Sequence, residues 1–322
     1  MNKTQPQRLL FDFNIGNNIG IFPSTRYQGS KYKLTAWIRH HMEGLEFDSV
    51  LDAFGGTGCV AYMFKLMGKK VFYNDIMKFN HHIGLALIEN KSEKLDDADV
   101  ENILRKDQKI KYPAFIQDTF REIYFTDEEN EWLDVVVTNI ERLRNIYKKA
   151  LAYYALFQSC IIKRPFNLFH RKNLYIRLAD VERSFGNKKT WDTPFESHFR
   201  NFVEQANRAV FDNGRDNKAF CSDVFKLSLL EHADLIYIDT PYISKNGMGL
   251  NYFDFYHFLE GLVDYRNWFE KINMESKHKS MINDSNPWAD KNEIREAFER
   301  LFEKYKHSIL VVSYRDDGMP SV

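Results

Sequence analysis

Apolar runs of strand length recur along this chain, and each closes on a carboxylate or a turn. Val50-Leu51 ends at Asp52, Val71-Phe72-Tyr73 at Asn74-Asp75, and Leu235-Ile236-Tyr237-Ile238 at Asp239-Thr240-Pro241-Tyr242. Runs that are apolar throughout, rather than alternating, fit parallel strands covered on both faces. A shorter run, Lys218-Ala219-Phe220-Cys221-Ser222-Asp223, and a late one from Ser308 through Ser313-Tyr314-Arg315, are expected to add two more strands. Elsewhere the period becomes helical: Leu34, Trp37 and Ile38 behind a Ser30 cap, Cys59 to Met67, a helix running on from Asp223 through Leu230, and Lys291 to Tyr305.

Between Asn80 and about Asn217 the alternation of strand and helix lapses. Leu95 to Phe125 is charged and interrupted. Asp127 to Ile162 carries Trp132, Val135, Val136, Ile140, Leu143, Ile146, Tyr147, Leu151 and Tyr154 at helical spacing, which predicts one or two long packed helices. The pattern therefore divides the chain into an α/β body, residues 1–90 and 218–322, and a largely helical insertion, residues 91–217. After Tyr242, the stretch from Ser244 to Tyr256 mixes Asn246, Gly247, Gly249 and Asn251 with aromatics and reads as a mobile loop near the strand ends.

Composition narrows the class. A chain of 322 residues, 44% hydrophobic, can bury one large core or a core with a smaller domain. Forty-five Lys+Arg against 45 Asp+Glu give no net charge, so a polyanionic partner has to be met by a local basic patch. Cys59, Cys160 and Cys221 are scattered without metal-ligand spacing, which argues against a disulfide framework and a zinc site and fits a reducing cytoplasm. The polar N-terminus has no signal-peptide character, and no apolar run is long enough to cross a bilayer.

The candidate chemistry sits at the strand ends. In Asp52-Ala53-Phe54-Gly55-Gly56-Thr57-Gly58, between strand and helix, Gly56 and Gly58 let a ligand lie where a Cβ would collide. Asp75 follows about 20 residues on, the separation at which a carboxylate can take both ribose hydroxyls of an adenosine. A nicotinamide dinucleotide is the competing ligand. Against it, the turn is Phe-Gly-Gly-Thr-Gly rather than GxGxxG, and Asp52 stands before the turn. Tyr27-Gln28-Gly29-Ser30-Lys31 offers a glycine turn before a helix, suited to an anion or to an ordinary capped helix. Lys163-Arg164-Pro165-Phe166-Asn167-Leu168-Phe169-His170-Arg171-Lys172-Asn173-Leu174-Tyr175-Ile176-Arg177 interleaves bases with aromatics and asparagines. That mixture suits phosphates and unstacked nucleobases, and it also suits a solvated face.

Taken together these stretches resemble the alpha-type DNA adenine-N6 methyltransferases, the Dam-like enzymes and those that accompany restriction endonucleases. The resemblance covers nearly the whole chain, in the family's order: Tyr27 to Lys31, then Asp52, Phe54, Gly56 and Gly58, then Asp75, Asp223, Asp239-Thr240-Pro241-Tyr242, and Ser313-Tyr314-Arg315. It implies a Rossmann-like sheet that binds S-adenosylmethionine through Tyr27, Lys31, Asp52, Phe54, Gly56, Gly58, Asp75, Asp223 and Asp239, without a metal. It implies double-stranded DNA as substrate, with Lys163, Arg164, Asn167, His170, Arg171, Lys172, Asn173 and Arg177 in the target-recognition element. Asp239 and the main-chain carbonyl after it would accept the N–H bonds of an extruded adenine, and Tyr242 would stack on it.

Two departures matter. Thr240 stands where the commoner tetrapeptide has proline. Such folds also continue past the Ser-Tyr strand with an antiparallel hairpin, whereas little follows Arg315 here, so a second polypeptide is expected to supply the C-terminal strands and make a heteromer. Cytosine-N4 or RNA amino methylation, a protein glutamine acceptor, and a non-catalytic DNA-binding subunit are the alternative readings.

Overall fold

The computed structural model describes residues 21–181, 188–229, 231–244, 249–282 and 286–320. Five strands form one parallel sheet: β1 (Ser49–Asp52), β2 (Lys70–Asp75), β3 (Lys218–Cys221), β4 (Leu235–Ile238) and, following the short β5 (Ile243–Ser244), β6 (Ile309–Val312). Their order across the sheet is β3-β2-β1-β4-β6. The chain thus builds outward from β1 on one side, then returns to lay β4 on its other side. The strand order reverses between β1 and β4, and the carboxyl ends of such a pair open a crevice for ligands. Asp52 pairs in register with Tyr237, two residues before Asp239.

Alternate side chains of the central strands feed two layers. Val50, Val71, Tyr73, Leu235 and Tyr237 join one hydrophobic cluster, while Leu51, Phe72, Ile236 and Ile238 join the other. The first layer holds most of the helices: α1 (Thr35–His41), α2 (Cys59–Leu66), α3 (Lys78–Gly84), α4 (Asp97–Leu104), α5 (Phe115–Thr119), α6 (Asp127–Glu141) and α7 (Ile146–Ile162). Then come α8 (Leu174–Leu178), α9 (Lys188–Asp192), α10 (Phe195–Ala209) and α11 (Tyr252–Val263). The second layer is built on α12 (Ile294–Lys304), which presents Ile294, Ala297, Phe298 and Leu301 to the sheet. The stretch expected as one or two helices is two, and the Asn145 side chain caps α7 by accepting from the backbone N–H of Tyr147 and Lys148. Ala150 to Ile161 is buried all round, so the segment between 91 and 217 shares one continuous core with the sheet.

Expectations for two segments differ from the structure. Among the described residues no helix follows Asp223: the carbonyls of Val224, Phe225 and Leu227 accept instead from the Lys304 ammonium at 2.8, 3.1 and 2.6 Å, so a lysine of α12 replaces helical donors. The loop expected to Tyr256 is helical from Tyr252, because Asn251 caps Phe253 at 3.1 Å; Asn246 and Gly247 lie outside the described residues. The chain after β6 does not pair along β6. Among the described residues it turns back as β7 (Gly318–Met319), antiparallel to β5. No described helix is long and apolar enough to cross a membrane.

Candidate active site

A cavity of about 600 Å³ opens at the carboxyl ends of β1, β2 and β4, a size suited to a cofactor-sized ligand. Its floor is the bend after β1. Gly56 at φ +50° and Gly58 at φ +73° occupy backbone conformations that side chains disfavour, and a Cβ on Gly55 would lie 2.0 Å from the Tyr73 ring. The loop can pass this close to β2 only as glycine.

Three carboxylates converge there. Asp52 is 2% exposed and accepts from the Ala61 N–H in the first turn of α2 at 3.2 Å. Burial, then the charge of Asp239, pushes its carboxyl up to about 8. Asp75 accepts from the N–H of Gly56 and of Met77, each at 2.9 Å, which ties the end of β2 to the bend. Burial raises it, and those two N–H donors oppose the rise. Asp239 takes the Lys31 ammonium on both oxygens, 2.7 Å to Oδ1 and 2.6 Å to Oδ2, and the Tyr242 hydroxyl on Oδ1 at 2.6 Å. Burial pushes Asp239 up from its ordinary range, and Lys31 and then Tyr242 pull against that rise.

Tyr27, Lys31, Asp52, Phe54, Gly56, Asp75, Asp223, Asp239, Thr240 and Pro241 all line this one cavity. Gly58 supports it from the bend, and the Tyr242 ring meets Tyr314 edge-on at 5.2 Å. Asp223 accepts from Phe225 N–H at 3.0 Å, an Asx turn that fixes its position without a helix. Ser30 Oγ accepts from Tyr32 N–H at 3.3 Å, at the start of the turn that carries Lys31. Thr240 is 3% exposed, and its hydroxyl has no hydrogen-bond partner among the described residues. The same holds for the buried carbonyl oxygens of the Asn74 and Asn80 side chains, on residues that line the cavity. Buried polar atoms rarely lack partners, so a polar ligand fits here.

Some contributors carried no motif. Tyr252 of α11 lies over the site, stacked on Tyr27 at 5.8 Å, with Tyr27 stacked in turn on Tyr256 at 4.5 Å. A Cβ on Gly29 would come within 2.4 Å of the Tyr252 hydroxyl. Glu260, 6% exposed, accepts from Lys78 and Phe79 N–H at 3.0 and 3.1 Å and so caps α3 from α11. Burial raises it to about 7. A lone carboxylate in the apolar Phe258-Leu259-Glu260-Gly261-Leu262 run was the available signal. Trp288 stacks on Phe225 at 5.5 Å and walls the far side.

The basic-aromatic segment divides. Lys163, Arg164, Asn173 and Arg177 are interior, between 1% and 5% exposed, which corrects their assignment to a DNA surface. Arg164 donates to the carbonyls of Leu168, Tyr124 and Arg171 at 3.2, 3.3 and 3.0 Å. Lys163 donates to the carbonyls of Trp191 and Thr193, and Arg177 pairs with both oxygens of Glu129 at 2.9 and 2.7 Å. Donors committed to internal acceptors are not available to a phosphate. Arg171 and Lys172 are exposed, and Asn167 and His170 are half-buried.

Comparison with known proteins gives a consistent answer. Residues 27–315 match the family described as D12 class N6 adenine-specific DNA methyltransferase. The chain is 32% identical over 310 residues to the type II methyltransferase M2.HphI of Haemophilus parahaemolyticus, covering 93% of this chain and 85% of that protein. It is 29% identical to the modification methylase StsI of Streptococcus sanguinis over 92% of this chain and 44% of that one. Against the type II methyltransferase M.NlaIII of Neisseria lactamica it is 24% identical over 92% of this chain and 85% of that one.

Proposed function

The chain belongs to the D12 class of N6 adenine-specific DNA methyltransferases, and from that premise we propose that it binds S-adenosylmethionine in the cavity beside Gly56 and methylates an adenine extruded from double-stranded DNA. The observation that carries the reading is one cavity lined together by Asp52, the glycine bend, Asp75 and Asp239. Asp75 would hold the ribose hydroxyls, Asp223 the adenine amino group, and Asp52 the methionine end, while Asn74 and Asn80 offer unpartnered oxygens. When bound, S-adenosylmethionine supplies a methyl group on a sulfonium, an electrophile that needs no metal.

The residues of the chain then have one task, to make a poor nucleophile attack. An adenine amino group shares its lone pair with the ring. Acceptors that draw on its two N–H bonds favour a pyramidal nitrogen, and they stabilise the positive charge that appears only during attack. Oδ1 of Asp239 already accepts from Lys31 and Tyr242, while among the described residues Oδ2 accepts from Lys31 alone. Oδ2 therefore has the lone pair for an amino hydrogen, and the carbonyl after Asp239 is the second acceptor. Lys31 pulls against the burial that disfavours the ionised form of this carboxylate. Stacking on Tyr242 offsets about 1–3 kcal/mol of the cost of extruding the base.

The relatives' names, a type II methyltransferase and a modification methylase, support modification of DNA as the setting, and we propose that it takes place in the cytoplasm beside a restriction endonuclease. The recognition element would include the exposed Arg171 and Lys172, with Asn167 and His170. A second polypeptide pairing along β6 is the further part of the reading. It is supported by that strand's outer edge, where no described strand pairs and Val312 is 43% exposed. Tritiated methyl transfer to duplex DNA followed by nucleoside analysis tests the reaction: N6-methyldeoxyadenosine supports it, and label on cytosine or none overturns it. Light scattering of the active species tests the partner, which a fully active monomer dismisses.

A further inference from the structure

We propose that Tyr73 is a positioning residue of the cavity, its hydroxyl setting the gap between the glycine bend and α3 into which the cofactor fits, an inference that rests on the function proposed above. Tyr73 belongs to none of the motifs, is fully buried and does not itself line the cavity. It stands two residues before Asp75 on β2, and residues so spaced share one face of a strand.

Both side chains take hold of Gly56. The Tyr73 hydroxyl donates to its carbonyl at 2.8 Å, while Asp75 accepts from its N–H at 2.9 Å. Between them, the main-chain carbonyl of Asn74 accepts from Gly55 N–H at 2.8 Å. Three successive residues of β2 therefore fasten the bend. The same hydroxyl lies 3.0 Å from the carbonyl of Asn80 in α3, and its one proton serves either acceptor. Gly56 and Asn80 both line the cavity. Tyr27 bridges the same two residues from within it: its hydroxyl accepts from Asn80 Nδ2 at 3.4 Å, and a Cβ on Gly56 would lie 3.8 Å from its ring. One buried oxygen thus ties together two elements between which a cofactor side chain contact is made.

The seat of the ring leaves that oxygen little freedom. A Cβ on Gly55 would meet the ring at 2.0 Å, and one on Gly84, the last residue of α3, would meet it at 2.4 Å. Glycines from the bend and from α3 therefore clasp the ring between them. Phenylalanine would fill the same space without the cost of burying a hydroxyl, so packing alone does not account for a tyrosine here. What the oxygen holds does account for it.

The test separates position from packing. Tyr73→Phe keeps the ring and removes only the oxygen. Expected in the full chain is an affinity for S-adenosylmethionine about three- to tenfold weaker by equilibrium dialysis, with the same rise in its KM. At saturating cofactor, kcat and the KM for duplex DNA stay within about twofold of wild type. Gly84→Ala acts from outside the cavity. Gly84 has φ −58° and ψ −46°, an ordinary helical conformation that alanine shares, so the added Cβ acts on the seat of the Tyr73 ring, and a loss of cofactor affinity is expected again. A tyrosine that merely fills the core would lower the thermal midpoint in these variants and leave the affinity of the folded molecules untouched. Wild-type affinity in folded Tyr73→Phe, or in Gly84→Ala should Tyr73→Phe not fold, overturns this inference alone. A wild-type chain that binds no S-adenosylmethionine overturns the proposed function and this inference with it.

Discussion

The carboxyl edge of the sheet and the segment 163–177 both concentrate charged candidate residues, yet they use their charges in opposite ways. At the edge, Asp52, Asp75 and Asp239 point into a shared cavity and keep accepting capacity there. In the segment, Lys163, Arg164 and Arg177 point inward and satisfy carbonyls and a glutamate. Charge type shows that a side chain needs polar company. Only burial and partners show whether that company is a substrate or the protein's own backbone.

The largest expected effect separates the two regions by readout. Asp239→Ala should lower methyl transfer by at least about 10²- to 10³-fold while S-adenosylmethionine binding, followed by equilibrium dialysis, persists. Undiminished transfer would remove Asp239 from the chemistry. Arg164→Met should do the reverse: about 3 kcal/mol less stability in urea, because three carbonyls lose their donor, with DNA affinity per folded molecule little changed. A stable Arg164→Met protein that had lost DNA binding would return this residue to the surface role it was first given.

Lys31 sharpens the comparison, because it is a buried cation that serves the active edge. Asp239 must be ionised to accept, and burial raises its carboxyl while Lys31 opposes the rise. Removing the ammonium leaves the rise opposed by Tyr242 alone, so Lys31→Met should move the acid limb of the rate profile to higher pH. An unmoved limb would show that Lys31 does not act through Asp239. The smallest effect is expected at the exposed remainder of the segment. Joint replacement of Arg171 and Lys172 by alanine should weaken duplex binding and reduce the salt slope by about 2, without a change in thermal midpoint.

The strands and the glycine bend were legible because their signals are local: an apolar run, a turn that only glycine fits beside Tyr73, and a carboxylate at the run's end. The α11 wall was not, since residues 256–262 are buried on every side and show no polar face from which to read a helical period. Tyr252 was lost with it, hidden in a stretch whose glycines and asparagines suggested a loop. The helix expected after Asp223 failed for another reason. Its carbonyls are taken by Lys304, about 80 residues away in sequence, and no local propensity reports so distant a donor. Nothing in the order of the residues around it foretold that Phe166 would adopt a left-handed conformation, φ 65°.

The order of strands across the sheet also sets a timetable for synthesis. β1 and β2 emerge from the ribosome together with the glycine bend, but the neighbour that delivers Asp239 is translated roughly 160 residues later. Until then one flank of β1 stands open and the floor of the pocket has no opposite wall. A chain that lacks β4 therefore has no assembled pocket, and the site is complete only once β4 lies in the middle of the sheet.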